Sequence, residues 1–214
     1  MKKKFLDLLW NTPPSEIAQF FSRLCYRRFN ASKRDSSMAV WCLSTGRVGT
    51  QTLAALAGLA SNIHALHEPK PKLFGISRFA YEQSVNQICR DVLREAVYAC
   101  REMNLCRQNK NYFESSPQVT FLAPILQDVF SNCRFLHIVR HPADVARSGV
   151  RRKWYAGNPN DRWRIRPLKN TAAAATWDKM SVLEKNLWLW AETNRWIDQF
   201  IISLPQQKRL VLKS

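Results

Sequence analysis

Short apolar runs alternate with segments of helical periodicity along most of the chain, and this alternation limits the folds open to it. Each run is bounded by polar or turn-forming residues, as buried strands are. Between the runs, apolar residues recur at helical spacing, most clearly over 78–107 and 178–203. This pattern is typical of βαβ units, so we predict an α/β fold, a parallel sheet with helices on both faces. The predicted strands are 38–43, 62–67, 112–113, 134–139 and 209–212.

A polar stretch over 30–37 divides the chain into a basic N-terminal segment and one domain. Residues 1–34 combine basic side chains with apolar residues at helical spacing. They predict an amphipathic helix that packs on the domain or makes peripheral contact with an anionic membrane surface. The apolar run 5–10 is too short for a signal peptide or a membrane span. We expect 35–214 to be the domain, incomplete at its C-terminus because the last predicted strand stands almost at the end of the sequence.

The composition favours an anionic ligand and argues against a metal. A formal net charge of +17 attracts nucleic acid, acidic lipid, acidic glycan or a polyanionic cofactor. No helix-turn-helix, zinc-finger or RNA-binding aromatic motif is visible, so nucleic acid is not the expected partner. Six cysteines without C-x-x-C spacing predict no zinc site. Their place in hydrophobic segments indicates reduced, buried thiols and a cytoplasmic protein.

The first candidate site is the loop between the first predicted strand and its helix. Its glycines let the backbone approach an anion, and successive amides at a helix N-terminus hold phosphate-like oxygens. Arg47 adds a positive charge. The loop is not a Walker A motif, which needs Lys after its second glycine, where this sequence has Thr50. A glycine-rich turn without a ligand is the alternative. The candidate binding residues are Thr45, Gly46, Arg47, Val48, Gly49, Thr50, Gln51 and Thr52.

The second candidate site follows the clearest strand of the chain, 134–139. That strand leads into Arg140, Pro142 opens the next helix, and Ser148 lies about two turns along it. Arginine suits bidentate phosphate contacts, and the Ser148 hydroxyl is a second donor to the same group. In the alternative interpretation, Asp144 only stabilises the helix N-terminus and pairs with an arginine.

Together these two segments resemble the sulfotransferase family. Members have a 5′-phosphosulfate loop after the first strand, reading Pro, Lys or Arg, Ser or Thr, Gly, and two more Ser or Thr. They also have a 3′-phosphate segment, in which a strand precedes Arg-x-Pro and a Ser six residues after the Pro. The resemblance covers about 38–212 and implies a P-loop NTPase-like three-layer fold. It also implies 3′-phosphoadenosine 5′-phosphosulfate (PAPS) as the sulfuryl donor and no metal.

The resemblance assigns roles to individual residues. It implies that Arg140 and Ser148 hold the 3′-phosphate of the donor. The sequence departs from the family pattern at Gly46, where Pro is usual, and at Val48 and Gln51, where small hydroxyl residues are usual. The residues that the resemblance assigns to the 5′-phosphosulfate are Arg47, Gly49, Thr50 and Gln51.

A third feature, Glu68, follows the second predicted strand, beside the first loop in a parallel sheet. Transfer to a hydroxyl needs a base to take the acceptor proton. Carbohydrate and tyrosyl-protein members of the family place a glutamate near this position, which makes Glu68 the candidate base. His67 is the second candidate, and strand alternation is expected to point the two side chains to opposite sides. A salt bridge in the loop is the alternative role of Glu68.

The sequence therefore predicts transfer of a sulfuryl group from PAPS to an acceptor hydroxyl, on a small molecule, a glycan or a peptide. A carbohydrate or tyrosine-like hydroxyl is the favoured acceptor. One alternative is a P-loop kinase of a small molecule, which the missing Gly-Lys-Ser/Thr argues against. Another is a non-catalytic polyanion-binding module, which the net charge of +17 fits. The aromatic and basic stretch 151–166, with Trp154, Tyr155 and Trp163, predicts either a mobile acceptor loop or an ordinary basic surface loop.

Overall fold

Five parallel strands form the centre of the computed structural model, which describes residues 37–83, 87–105 and 110–214. The expected N-terminal helix over 1–34 lies outside these residues. The strand order in the sheet is β2-β3-β1-β4-β5, and every neighbouring pair is parallel. The strands are β1 (Ala39–Leu43), β2 (Ile63–His67), β3 (Asn111–Ser115), β4 (Cys133–Val139) and β5 (Arg209–Lys213).

Helices connect the strands and cover both faces of the sheet. Short 3₁₀ turns occur at Pro117–Leu122, Pro159–Trp163, Trp177–Lys179 and Gln206–Lys208. The α-helices are α1 (Thr50–Ala57), α2 (Phe74–Glu82), α3 (Gln87–Leu105), α4 (Ala123–Val129), α5 (Pro142–Arg151), α6 (Ala172–Thr176) and α7 (Val182–Ile202). No helix within the described ranges is both long enough and apolar enough to cross a membrane.

Alternation along β1 divides the core into two layers. Trp41 and Leu43 belong to the larger cluster, with buried residues of α3, α4 and α7. Cys42, between them, belongs to a second cluster with Ala54 of α1 and Val145 of α5. The three-layer α/β architecture predicted from the sequence is therefore confirmed.

Several predicted boundaries differ from the structure. The periodic segment 78–107 is two helices, because α2 ends at Glu82 and α3 begins at Gln87. The long helix starts at Val182 rather than near 178, since Ser181 and Glu184 form a capping box there. Ser116, the expected N-cap, does not cap the backbone; its hydroxyl donates instead to Gln118 Oε1.

The last strand was expected to be buried, and this expectation is wrong. β5 pairs with β4 alone and lies at the edge of the sheet within the described residues. Leu210 is 57% exposed and Val211 48%. An apolar run predicts a strand, but its position in the sheet depends on pairing that no local pattern records.

The predicted buried thiols are present. Cys42 and Cys133 are buried, and burial raises the pKa of the first to about 12 and of the second to about 11. Two of the six cysteines, Cys25 and Cys106, lie outside the described residues.

A fully buried ion pair joins α3 to β3. Arg101 and Glu114 are both 0% exposed, and the guanidinium Nε and Nη2 donate to the two carboxylate oxygens at 2.6 and 2.9 Å. The Tyr112 hydroxyl donates to the same carboxylate at 2.7 Å. Because its partners satisfy the carboxylate, Glu114 is part of the framework and does not face a ligand.

Gly149 allows α5 and α7 to pack closely. A Cβ at this position would lie 2.0 Å from Asn186 Oδ1 and 2.9 Å from the Trp154 ring. Asn186 cannot retreat easily, since it is buried and its side-chain amide donates to the carbonyls of Val182 and Trp154 at 2.8 and 3.3 Å.

We expect Gly149→Ala to destabilise the fold by about 1–3 kcal/mol, the usual cost of an overpacked contact. The measurement is the free energy of unfolding from urea titration. Gly58→Ala is the matched control, because a Cβ there would meet nothing closer than 3.4 Å. Equal stability of the two variants would contradict the proposed close contact.

Candidate functional site

Parallel pairing of β1 with β4 brings the two predicted anion-binding segments together at the carboxyl ends of the strands. Leu43 is in register with His137, so the loops that follow both strands leave the sheet side by side. In the strand order, β2 lies on one side of the β1–β4 pair and β5 lies on the other. The connections that follow β1 and β4 therefore run in opposite directions along the sheet. Such a switch in strand order opens a crevice at the carboxyl ends of the strands, where α/β proteins bind ligands.

The loop after β1 has a backbone suited to holding an anion. Gly46, Arg47 and Gly49 all have positive φ, at 78°, 62° and 86°. A Cβ on Gly46 would lie only 3.1 Å from Pro117 Cγ, so the loop packs closely on the segment after β3. Gly49 is the N-cap of α1, and no side chain caps that helix end. The first amides of α1 therefore remain available to an anion.

Arg47 connects this loop to the second segment. Its Nε donates to Ser148 Oγ at 3.0 Å, across 101 positions of sequence. Burial lowers the pKa of the Arg47 guanidinium below its ordinary value, and the positive charges of Arg152, Arg140 and Arg151 lower it further. Glu68 acts in the opposite direction. The guanidinium nevertheless stays protonated at neutral pH. Because three arginines and one glutamate act on it, its surroundings carry an excess of positive charge.

The second segment has the predicted form. α5 begins with Pro142 at its first position. Ser148 is buried and lies about 1.7 turns further along the helix. Arg140 is exposed, and its Nε lies 3.6 Å from Asp144 Oδ2. The arginine–aspartate pair of the alternative interpretation is therefore present beside the candidate binding residues. Trp190 Nε1 donates to the Arg140 carbonyl at 2.9 Å and fixes the backbone at this turn.

Arg151 and Arg152, predicted to lie in a loop with the neighbouring aromatic residues, instead lie at the end of α5 and act electrostatically on Arg47. Arg151 ends α5, and Arg152 is its C-cap. Both follow Ser148 by one helical turn, and residues three and four apart share a helix face. Helical spacing from Ser148 is the signal that would have found them.

The other predicted loop residues divide into two groups. Val48 is 1% exposed and packs in the core, so only its backbone faces a ligand, whereas Gln51 and Thr52 are exposed on α1. Thr45 and Thr50 are buried. The Thr45 hydroxyl donates to the Gly46 carbonyl at 3.1 Å, and the Thr50 carbonyl accepts from Ser115 Oγ at 2.7 Å.

His67 is the last residue of β2 and Glu68 follows it, so both lie at the carboxyl ends of the strands. Glu68 has a positive φ of 45° and accepts a hydrogen bond from Lys72 Nζ at 3.0 Å, which is the salt bridge considered as its alternative role. The same carboxylate acts electrostatically on Arg47. His67 Nδ1 lies 2.7 Å from the Ser115 carbonyl, so this nitrogen carries the proton and the ring is tied to β3.

The segment after α5 is held in place by its own contacts. Arg164 Nε lies 3.1 Å from Asp161 Oδ1, and its guanidinium stacks 4.1 Å from the centre of the Trp154 ring. The Tyr155 hydroxyl donates to the Ile165 carbonyl at 2.7 Å. Within 37–83, 87–105 and 110–214, no three His, Cys, Asp or Glu residues are grouped as metal ligands.

Comparison with solved structures shows the same fold in a sulfotransferase domain from the curacin biosynthetic pathway. It matches with a TM-score of 0.52 and 17% identity, over 84% of this chain and 68% of that one. A sulfotransferase from Alicyclobacillus acidocaldarius matches with a TM-score of 0.49 and 14% identity, over 83% and 73%. No protein-family model and no curated protein sequence matches the chain. The chain has a sulfotransferase-like fold.

The excess positive charge around Arg47 predicts that a small polyanion stabilises the protein. We expect inorganic pyrophosphate to raise Tm by several degrees, because a ligand at 100 times its Kd adds about 2.7 kcal/mol of stability. The rise should shrink in Arg152→Gln and persist in Lys208→Gln, since Lys208 precedes β5 at the opposite edge of the sheet. A rise that is equal in both variants would place the bound anion elsewhere.

Proposed function

We propose that this protein is a sulfotransferase that uses PAPS as donor and transfers the sulfuryl group to an acceptor hydroxyl. The hydrogen bond between Arg47 and Ser148 carries the proposal, because it joins the two segments that the sequence assigns to the two ends of one donor. A nucleotide with phosphate groups at both its 3′ and 5′ positions needs two such anion sites close together. The sulfotransferase-like fold supports the same interpretation.

The residues of the site fit this donor. The amides at the start of α1 and the Arg47 guanidinium are suited to the 5′-phosphosulfate. Ser148 and Arg140 are suited to the 3′-phosphate, and Arg151 and Arg152 add positive charge from the same helix end. The donor supplies an activated sulfuryl group, with the 5′-phosphate as its leaving group.

Each residue of the site has a distinct part in the proposed reaction. Glu68 accepts the proton of the attacking hydroxyl. Its carboxylate acts electrostatically on Arg47, which indicates that it lies near the proposed site of transfer. Arg47 and the loop amides stabilise the negative charge that grows on the leaving phosphate, and they are already in position before reaction. The His67 ring, bonded to β3, supports the backbone that presents Glu68.

The decisive experiment is calorimetric titration with adenosine 3′,5′-bisphosphate. We expect tight binding without magnesium that requires the 3′-phosphate and is lost in Arg140→Ala. Adenosine 5′-monophosphate and magnesium-ATP are the controls. Preference for magnesium-ATP would favour a small-molecule kinase. Equal, strongly salt-dependent binding of all three and of DNA would favour a polyanion-binding module.

Arg47→Ala should lower turnover by about 10²–10³, the usual effect of removing one preorganised donor to developing negative charge. The measurement is release of adenosine 3′,5′-bisphosphate from the donor in the presence of an acceptor. Arg134→Ala is the matched control. Arg134 is an exposed arginine near the start of β4, at the amino ends of the strands and opposite the candidate site. Unchanged turnover in Arg47→Ala would exclude Arg47 from the reaction.

A further inference from the structure

Helix α7 turns three polar side chains towards the end of β4. Trp190, Asn194 and Asp198 are spaced four residues apart, so they lie on one face of the helix. Trp190 Nε1 donates to the Arg140 carbonyl at 2.9 Å, and Asn194 Oδ1 lies 2.8 Å from His137 Nε2. The helix is therefore bonded to β4 at His137 and again at the turn three residues later.

Asn194 is held in one orientation by its two partners. Its Nδ2 donates to the Trp190 carbonyl at 2.7 Å. Because the amide nitrogen is the donor there, the amide oxygen faces the histidine ring and accepts from His137 Nε2. Nδ1 of the same ring lies 3.3 Å from Asp198 Oδ1. Both nitrogens of the His137 ring therefore face α7.

This polar network lies among apolar neighbours. His137 is 2% exposed and Asn194 6% exposed, and Leu136 and Ile138 on either side of the histidine are buried. Apolar residues at these two positions would pack α7 on β4 without needing hydrogen-bond partners. Satisfied polar groups instead fix one arrangement of the elements that they join. The network therefore specifies where α7 sits along β4.

The Arg140 side chain depends on its backbone for its position. It is 43% exposed, and its Nε lies 3.6 Å from Asp144 Oδ2, which is longer than a hydrogen bond. The Arg140 carbonyl belongs to the peptide that joins this residue to His141, the N-cap of α5. The arginine side chain and the helix that carries Ser148 both leave from this peptide. The bond from Trp190 thus fixes the starting point of both groups proposed to bind the 3′-phosphate.

We infer that Trp190 is a positioning residue for the 3′-phosphate, and that Asn194 and His137 hold the helix turn that carries its indole. The inference rests on the proposed donor and gives α7 a part in recognising it. Trp190 acts through the Arg140 backbone and the start of α5. The 5′-phosphosulfate is assigned to a different segment, the amides of α1 and Arg47. Loss of the indole N–H should therefore weaken recognition of the 3′-phosphate selectively.

The variant Trp190→Phe removes the N–H and keeps an aromatic ring. The measurement is the calorimetric Kd of adenosine 3′,5′-bisphosphate and of adenosine 5′-monophosphate, whose ratio reports the contribution of the 3′-phosphate. We expect this ratio to fall about tenfold, the order of the effect of one hydrogen bond. Affinity for the monophosphate should stay nearly unchanged, because the 5′ contacts do not involve this turn.

The matched control is Trp188→Phe, the same substitution two residues away on the same helix. The Trp188 ring packs against Trp177, with 5.1 Å between centroids, so its replacement should leave the ratio unchanged. An unchanged ratio in Trp190→Phe, or equal weakening of both nucleotides, would overturn the inference while leaving the donor site intact. Failure of the bisphosphate to bind the unaltered protein would instead overturn the proposed function, and this inference with it.

A second variant, Asn194→Ala, tests the rest of the network. We expect the ratio to fall as it does in Trp190→Phe. The double variant should be no worse than the more affected single variant, because both changes act through the same contact with Arg140. Independent, additive falls would overturn the role given to Asn194. Tm verifies that each variant is folded, and if Asn194→Ala does not fold, the comparison of Trp190→Phe with Trp188→Phe decides the matter.

Discussion

The site depends above all on the parallel pairing of β1 with β4. The residues that meet there are about a hundred positions apart in sequence, and no local structure could bring them together. Because the two strands are parallel and in register, with Leu43 opposite His137, the segments that follow them lie at the same end of the sheet. The hydrogen bond from Arg47 to Ser148 is a consequence of that register. A slip by one residue would reverse the faces of β4 and separate the two segments.

Positive charge dominates the electrostatics of this site. Burial and then the positive charges of Arg152, Arg140 and Arg151 lower the pKa of Arg47. Repulsion of this kind costs stability, and a bound anion would relieve it. The buried Arg101–Glu114 pair differs from this arginine group, because each of its charges is neutralised by its partner.

Much of the fold could be predicted from local sequence, since an apolar run between polar residues marks a strand wherever it stands. The local structure of the two candidate segments, a strand followed by a glycine-containing turn and a strand followed by an Arg-x-Pro helix start, could also be predicted, because each pattern acts locally. Arg152 was missed because its role depends on the helix face it shares with Ser148. The exposure of β5 was missed because strand order is set by packing of the whole sheet. A cavity beside the loop after β1, lined in part by Phe74, Phe121 and Thr193, could not be predicted at all, since these residues come from distant elements.

Helix α7 contacts both halves of the crevice. Asn186 packs on Gly149 of α5, Trp190 bonds to the Arg140 carbonyl, and Leu189 and Thr193 line the cavity. One helix therefore packs on α5 and also forms part of the cavity wall. A substitution that moves this helix would therefore disturb the turn at Arg140 and the cavity wall together.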